Sequence, residues 1–115
     1  MIIESRNALR RKPVHSILVT DALTGETLGQ AEDLSETGMQ LQARAPLVED
    51  AIYQVRFQLD NALVNAQPIN AGAHVVWLSP TGSHGRLKTG LRFLAMSEQD
   101  LSTLQRWTGT QGRQR

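Results

Sequence analysis

The chain has 115 residues, 40% of them hydrophobic and 20% charged, which fits one globular domain with a modest core and argues against a wholly disordered chain. It contains no cysteine, so disulfides, thiolate metal sites and cysteine nucleophiles are excluded. The net charge of +1 conceals basic ends: residues 1–12 sum to +3 and residues 106–115 to +3, while the body between them carries five basic and ten acidic residues.

The amino-terminal run MIIESRNALRRKP places its charges after a three-residue apolar start, the reverse of a secretory signal. No stretch approaches the roughly 18 apolar residues of a membrane span. The reading is a soluble, cytoplasmic protein with no membrane partner. Residues 1–12 are expected to form a flexible segment, because only Ile2, Ile3 and Leu9 offer apolar surface to hold it. The run PVHSILVT, rich in β-branched residues, then reads as a first strand. DALTGE follows as a hairpin turn with Gly25 where φ > 0 is tolerated, and TLGQAED is the return strand. After the polar turn in AEDLSETGMQLQA, Met39, Leu41 and Ala43 alternate with Gln40, Gln42 and Arg44. In YQVRFQLD, Tyr53, Val55, Phe57 and Leu59 face one way and Gln54, Arg56, Gln58 and Asp60 the other. AGAHVVWLS is a fifth strand, ended by a loop around Pro80, Gly82 and Gly85, and KTGLRFLA a sixth with Leu91 and Phe93 on one face.

About six strands with turn-rich connections predict an all-β fold, a small six-stranded antiparallel barrel, with a sandwich as the other possibility. A barrel would remove the open edges of so short a sheet. Only SEQDLSTLQRW breaks the period of two. Ser97 as cap, Asp100 three residues on, and Leu101, Leu104 and Trp107 predict a short one-faced α-helix over 97–107 packed on the barrel. The expected organisation is a ligand-clasp segment at 1–12, a barrel domain with its helix at 13–108, and a frayed tail at 109–115.

Enzyme chemistry finds no support. His15, His74 and His84 are scattered without metal-ligand spacing, no serine sits in a nucleophile elbow, and no glycine-rich loop opens a helix. No catalytic residue, metal or cofactor is assigned. One constellation remains, in two parts. Arg6 and Arg10 precede the first strand, and Asp33, Ser35 and Gly38 lie some 23 residues later between the second and third strands. Taken alone, Asp33 and Ser35 read as an Asx- or Ser-turn, and Arg6, Arg10 and Arg11 as a solvated tail. Taken together, they offer two halves of an anion site.

The pair of motifs, Arg6-Asn-Ala-Leu-Arg10 and Asp33-Leu-Ser35-Glu-Thr-Gly38, resembles the RxxxR and [D/N]xSxxG pattern of the PilZ domain family, bacterial receptors for the second messenger cyclic di-GMP. HVVWL and TGLRFL also look like the family's late strands, so the resemblance covers nearly the whole chain. RxxxR by itself is a chance pattern; its combination with DLSxxG on an all-β chain is specific. The resemblance implies a PilZ-type barrel and cyclic di-GMP as ligand.

The chemistry of these residue types suits that ligand, a dianion bearing two guanines. Guanidinium forks bond both the O6/N7 edge of guanine and phosphate oxygens, which lysine cannot reproduce. Asp33 is suited to accept the guanine N1–H and N2–H, and Ser35 to add a hydroxyl contact. Gly38 leaves no Cβ where backbone or ligand comes close, or supplies φ > 0. Arg11 and Lys12 extend the basic segment, and Arg11 is counted with the site. Trp77 is either a stacking surface for a guanine or a core residue. Arg44 and Arg92, outward-facing on strands, are left out. The family often carries a further arginine directly before RxxxR; here Ser5 stands there, which favours one ligand per chain.

The expected output is reordering of residues 1–12, read by an unidentified partner protein. Two alternatives are a PilZ-like adaptor that ignores the nucleotide and a small barrel binding single-stranded nucleic acid. The latter needs stacking platforms, and the chain has only two Phe, one Tyr and two Trp.

Overall fold

The structure, a computed structural model, describes residues 9–44, 47–59, 67–81 and 86–109. Arg6, Ser5, His84, the loop around Gly82 and Gly85, and the tail beyond residue 109 lie outside these residues. Six strands and one helix follow in order: β1 (Ile17–Asp21), β2 (Thr27–Leu34), β3 (Gly38–Ala43), β4 (Ile52–Phe57), β5 (Ile69–Thr81), β6 (Arg86–Met96) and α1 (Glu98–Thr108). The strands close into a barrel in the order β1-β2-β3-β6-β5-β4, every neighbouring pair antiparallel. The barrel, rather than the sandwich, is the architecture.

The period of two carries into burial. Met39, Leu41 and Ala43 on β3 and Val55 and Phe57 on β4 are buried, while Gln54 and Arg56 face outward. Phe57 and Phe93 stack across the core with ring centroids 6.0 Å apart. The β1–β2 turn closes through Gly25, at φ 81°, whose N–H donates to the Asp21 carbonyl at 2.7 Å. β1 begins at Ile17, four residues later than PVHSILVT suggests. Proline has no N–H to give to a ladder, and Pro13 stands at that end.

The helix forms where expected, over Glu98–Thr108 rather than 97–107, with Ser97 as its cap. The Ser97 hydroxyl accepts the Asp100 N–H at 3.0 Å. The Asp100 carboxylate does not return to the cap but accepts the Asn70 N–H on β5 at 3.1 Å, tying helix to barrel. Leu104 and Trp107 are buried in the main core cluster. Among the described residues, no helix is long and apolar enough to cross a membrane.

Of the four register shifts in the ladders of the described residues, two decide the outward placement of Asp33 and Trp77. Ala31 pairs with Leu41 but Asp33 with Gln40, so Glu32 is an extra residue on β2. Val75 pairs with Leu91 but Trp77 with Gly90, so Val76 is an extra residue on β5. Each bulge reverses the inward–outward alternation beyond it. Without them, Asp33 and Trp77 would follow buried Ala31 and Val75 into the core. With them, Leu34 points inward and Asp33 outward, and Trp77 lies 37% exposed on the surface.

Candidate functional site

The outer face over β2, β3, β6 and β5 holds a depression of about 500 Å³, within the size range of small-molecule sites. Its lining brings together Arg10 from the incoming chain, Asp33 from β2, Gly38 and Gln40 from β3, Trp77 from β5 and Gly90 and Arg92 from β6. A second, more polar depression of about 420 Å³ adjoins it, sharing Asp33 and Gln40 and reaching Lys12, His15 and Lys88.

The incoming chain is fastened before it reaches β1. Arg11 exchanges backbone hydrogen bonds with Leu34, its N–H donating at 2.9 Å and its carbonyl accepting at 3.1 Å. The Arg11 guanidinium lies 4.5 Å over the Trp107 ring and donates to the Trp107 carbonyl at 2.7 Å. That carbonyl is one of the last in α1, where the helix leaves acceptors unpaired and carries partial negative charge. Arg11 therefore spends its fork on the helix end and does not line the depression. This departs from its assignment as a ligand contact.

Arg10, one residue upstream, points the other way. Its Nη1 lies 2.7 Å from Asp33 Oδ1, with side-chain exposures of 43% and 18%. The two halves of the split constellation thus meet directly. An ion pair this exposed contributes only about 0–1 kcal/mol, so it positions the groups and opens at little cost.

The turn from Ser35 to Gly38 explains its own residue types. Ser35 is wholly buried, and its Oγ accepts the Thr37 N–H at 3.1 Å and stands 3.0 Å from Thr37 Oγ1. Its N–H donates to the Gly38 carbonyl at 2.8 Å. Ser35 is therefore the turn's internal brace, with no surface for the hydroxyl contact expected of it. Gly38 is required by close approach rather than by positive φ. A Cβ there would fall 2.1 Å from the Leu91 carbonyl oxygen on β6, a backbone atom that cannot swing aside.

Trp77 is a surface residue; the core tryptophan is Trp107. The indole lies across Gly90 so closely that a Cβ at that position would stand 2.1 Å from the indole Nε1. Its ring is thus seated on bare backbone beside Arg10, Asp33 and Arg92. Arg92, left out on sequence grounds, also reaches the depression because β6 pairs it with Gly38. The missing signal was the β3–β6 register, which no local pattern reveals. Arg44, at the far end of β3, lines neither depression. Among the described residues, no group of acidic and histidine side chains is placed to hold a metal ion.

A family model described as the PilZ domain matches residues 4–109 of the chain. Comparison with curated proteins finds no significant match. Among solved structures, the chain is similar to the Bacillus subtilis inhibitor of motility MotI/DgrA (TM-score 0.73, 13% identity), covering 96% of this chain and 52% of that one. It is also similar to Escherichia coli YcgR in complex with c-di-GMP (TM-score 0.71, 21% identity), covering 96% of this chain and 47% of that one. The separate PilZ domain of YcgR with c-di-GMP matches with TM-score 0.65 and 21% identity, covering 96% of this chain and 93% of that one. The chain thus spans about half the length of the two larger proteins. At these identities the likeness concerns the fold.

Proposed function

The chain belongs to the PilZ domain family, and from that premise we propose that it is a cytoplasmic, non-enzymatic receptor for cyclic di-GMP, bound in the depression between Arg10 and Asp33. The observation that carries the reading is the meeting of those two side chains at 2.7 Å across 23 residues of sequence, at the edge of a depression that also holds an exposed tryptophan. Two of its structural neighbours are described as c-di-GMP complexes, which supports the choice of ligand.

On entry the nucleotide takes over the partners of a weak ion pair. The Asp33 carboxylate accepts N1–H and N2–H of a guanine, and the Arg10 fork turns to the guanine O6/N7 edge or a phosphate oxygen. A guanine stacks on the Trp77 indole. Ser35 and Gly38 act through the turn, holding Asp33 at the surface. Arg11 acts through the helix, holding the backbone beside Arg10. Arg6 is assigned to the same clasp from upstream. Because Arg11 is anchored, the part that closes over the ligand lies upstream of it, and its new position is what a partner protein reads. Ordering that part costs conformational entropy, which the charge-assisted bonds must exceed.

Titration calorimetry of the chain against cyclic di-GMP, GTP and a mixed-sequence oligonucleotide tests this. Tight binding of cyclic di-GMP alone is expected. Silence with all three would favour a nucleotide-independent adaptor, and salt-sensitive oligonucleotide binding a nucleic-acid protein.

A further expectation concerns the seat of the indole. Stacking of a base on an aromatic ring contributes about 1–3 kcal/mol, so Trp77→Ala should weaken binding by about fivefold to 100-fold. Gly90→Ala should lose much of the same affinity by displacing the ring, and should add almost nothing in a Trp77→Ala background. Additive losses in that double-mutant cycle would show that Gly90 does not act through Trp77.

A further inference from the structure

Of the three charged side chains that line the depression among the described residues, two neutralise each other: Arg10 and Asp33 are paired at 2.7 Å. The third is Arg92, which has no ion pair or hydrogen bond from its side chain among the described residues. Its neighbours on the outer face leave it open. Across β3 stands Gly38, which has no side chain, and across β5 stands His74, which faces Asp50 at 3.2 Å. Among the described residues that line this depression, an incoming anion therefore meets one positive charge without a carboxylate partner, and that charge is on β6.

We propose that Arg92 is a ligand-anchoring residue that receives a phosphate of the dinucleotide and captures it before Arg10 is released from Asp33. The proposal rests on the cyclic di-GMP reading and adds to it a second cation, from the opposite wall. The two arginines differ mechanically. Arg10 belongs to the incoming chain and must leave a carboxylate to act. Arg92 stands in a strand paired on both sides, so its backbone is fixed and its fork is available from the start. The base is held between Asp33 and the seated indole, and the phosphate lies towards Arg92. Long-range attraction from an unpaired charge acts on the encounter, so its removal should slow association and weaken the dependence of association on salt.

The test compares Arg92→Ala, Arg92→Lys and, as an exposed-arginine control outside both depressions, Arg44→Ala. Each is measured against cyclic di-GMP by calorimetry, and by stopped-flow fluorescence at low and high salt. Arg92→Ala should lose about tenfold to 100-fold in affinity, the range of one charge-assisted contact, with part of the loss in the association rate. Arg92→Lys should recover the association rate but not the full affinity, because the charge returns without the fork. Arg44→Ala should stay within about twofold of the parent, as surface changes away from a site do. If the parent chain binds cyclic di-GMP and Arg92→Ala binds within twofold of it, the role of Arg92 is overturned and the receptor reading stands. If the parent chain does not bind the nucleotide at all, both fall.

Discussion

Arg10→Ala is expected to weaken cyclic di-GMP binding by about 100-fold or more while lowering the thermal midpoint by less than about 5 °C. The two effects separate because the side chain is exposed and its partner among the described residues is Asp33. A pair of that exposure supplies at most about 1 kcal/mol of stability, a few degrees for a domain of this length. Binding suffers twice. The fork that engages guanine or phosphate is gone, and the Asp33 carboxylate, no longer partnered, repels the entering dianion. A charge-assisted contact contributes about 1.5–3 kcal/mol, so the removal of two bonds and the added repulsion together reach the stated loss. A midpoint lower by more than about 10 °C would instead make Arg10 a structural residue, and near-native affinity would remove it from the site.

Trp107→Ala carries the largest expected loss of stability, about 3–5 kcal/mol, because it empties the place of a nearly fully buried indole in the core. Against a typical total of about 5–15 kcal/mol, that is a large share of the domain's stability. The substitution also removes the ring under the Arg11 guanidinium, so the chain beside Arg10 loses one of its fasteners. Where enough folded protein remains, affinity for cyclic di-GMP should fall as well, although no atom of Trp107 reaches the depression. Trp107→Phe, which refills most of the volume, should recover the greater part of the midpoint in calorimetric melting. A Trp107→Ala variant that melts like the parent would mean that α1 contributes little to the barrel core.

These expectations depend on features of unequal legibility. The strands were plain because burial on one face imposes a period of two, and the helix because Ser97, Leu104 and Trp107 fall at helical spacings. The motif residues stand out in the sequence, but the places of two residues assigned to the site do not. Ser35 looks like a ligand contact in sequence, because a serine beside an aspartate suits either a turn or a site; only the turn's closure shows its hydroxyl turned inward to Thr37. Arg11 is one of three consecutive cations in RRK, and nothing local tells that it alone faces the end of a helix nearly a hundred residues later.

The bulges were hidden for a different reason. Counting by twos from Ala31 puts Asp33 in the core, an unpaired carboxylate that would cost several kcal/mol to bury. That contradiction is itself a trace of the extra residue at Glu32, and it could have been read. Trp77 gives no such trace, because a tryptophan following Val75 inward is an acceptable core residue. The position of Arg92 depends on register between strands that are distant in sequence, which periodicity does not encode.

The central claim, that cyclic di-GMP sits between the incoming chain and the outer face of β2, β3, β5 and β6, is tested most directly by amide and indole NMR shifts during titration. The two tryptophans provide an internal comparison, Trp77 at the depression and Trp107 in the core. The account predicts large shifts at Arg10, Asp33, Gln40, Gly90 and Arg92 and at the Trp77 indole, with the Trp107 indole moving far less. Shifts confined to other faces of the barrel, with Trp77, Asp33 and Arg92 unmoved at saturation, would contradict it.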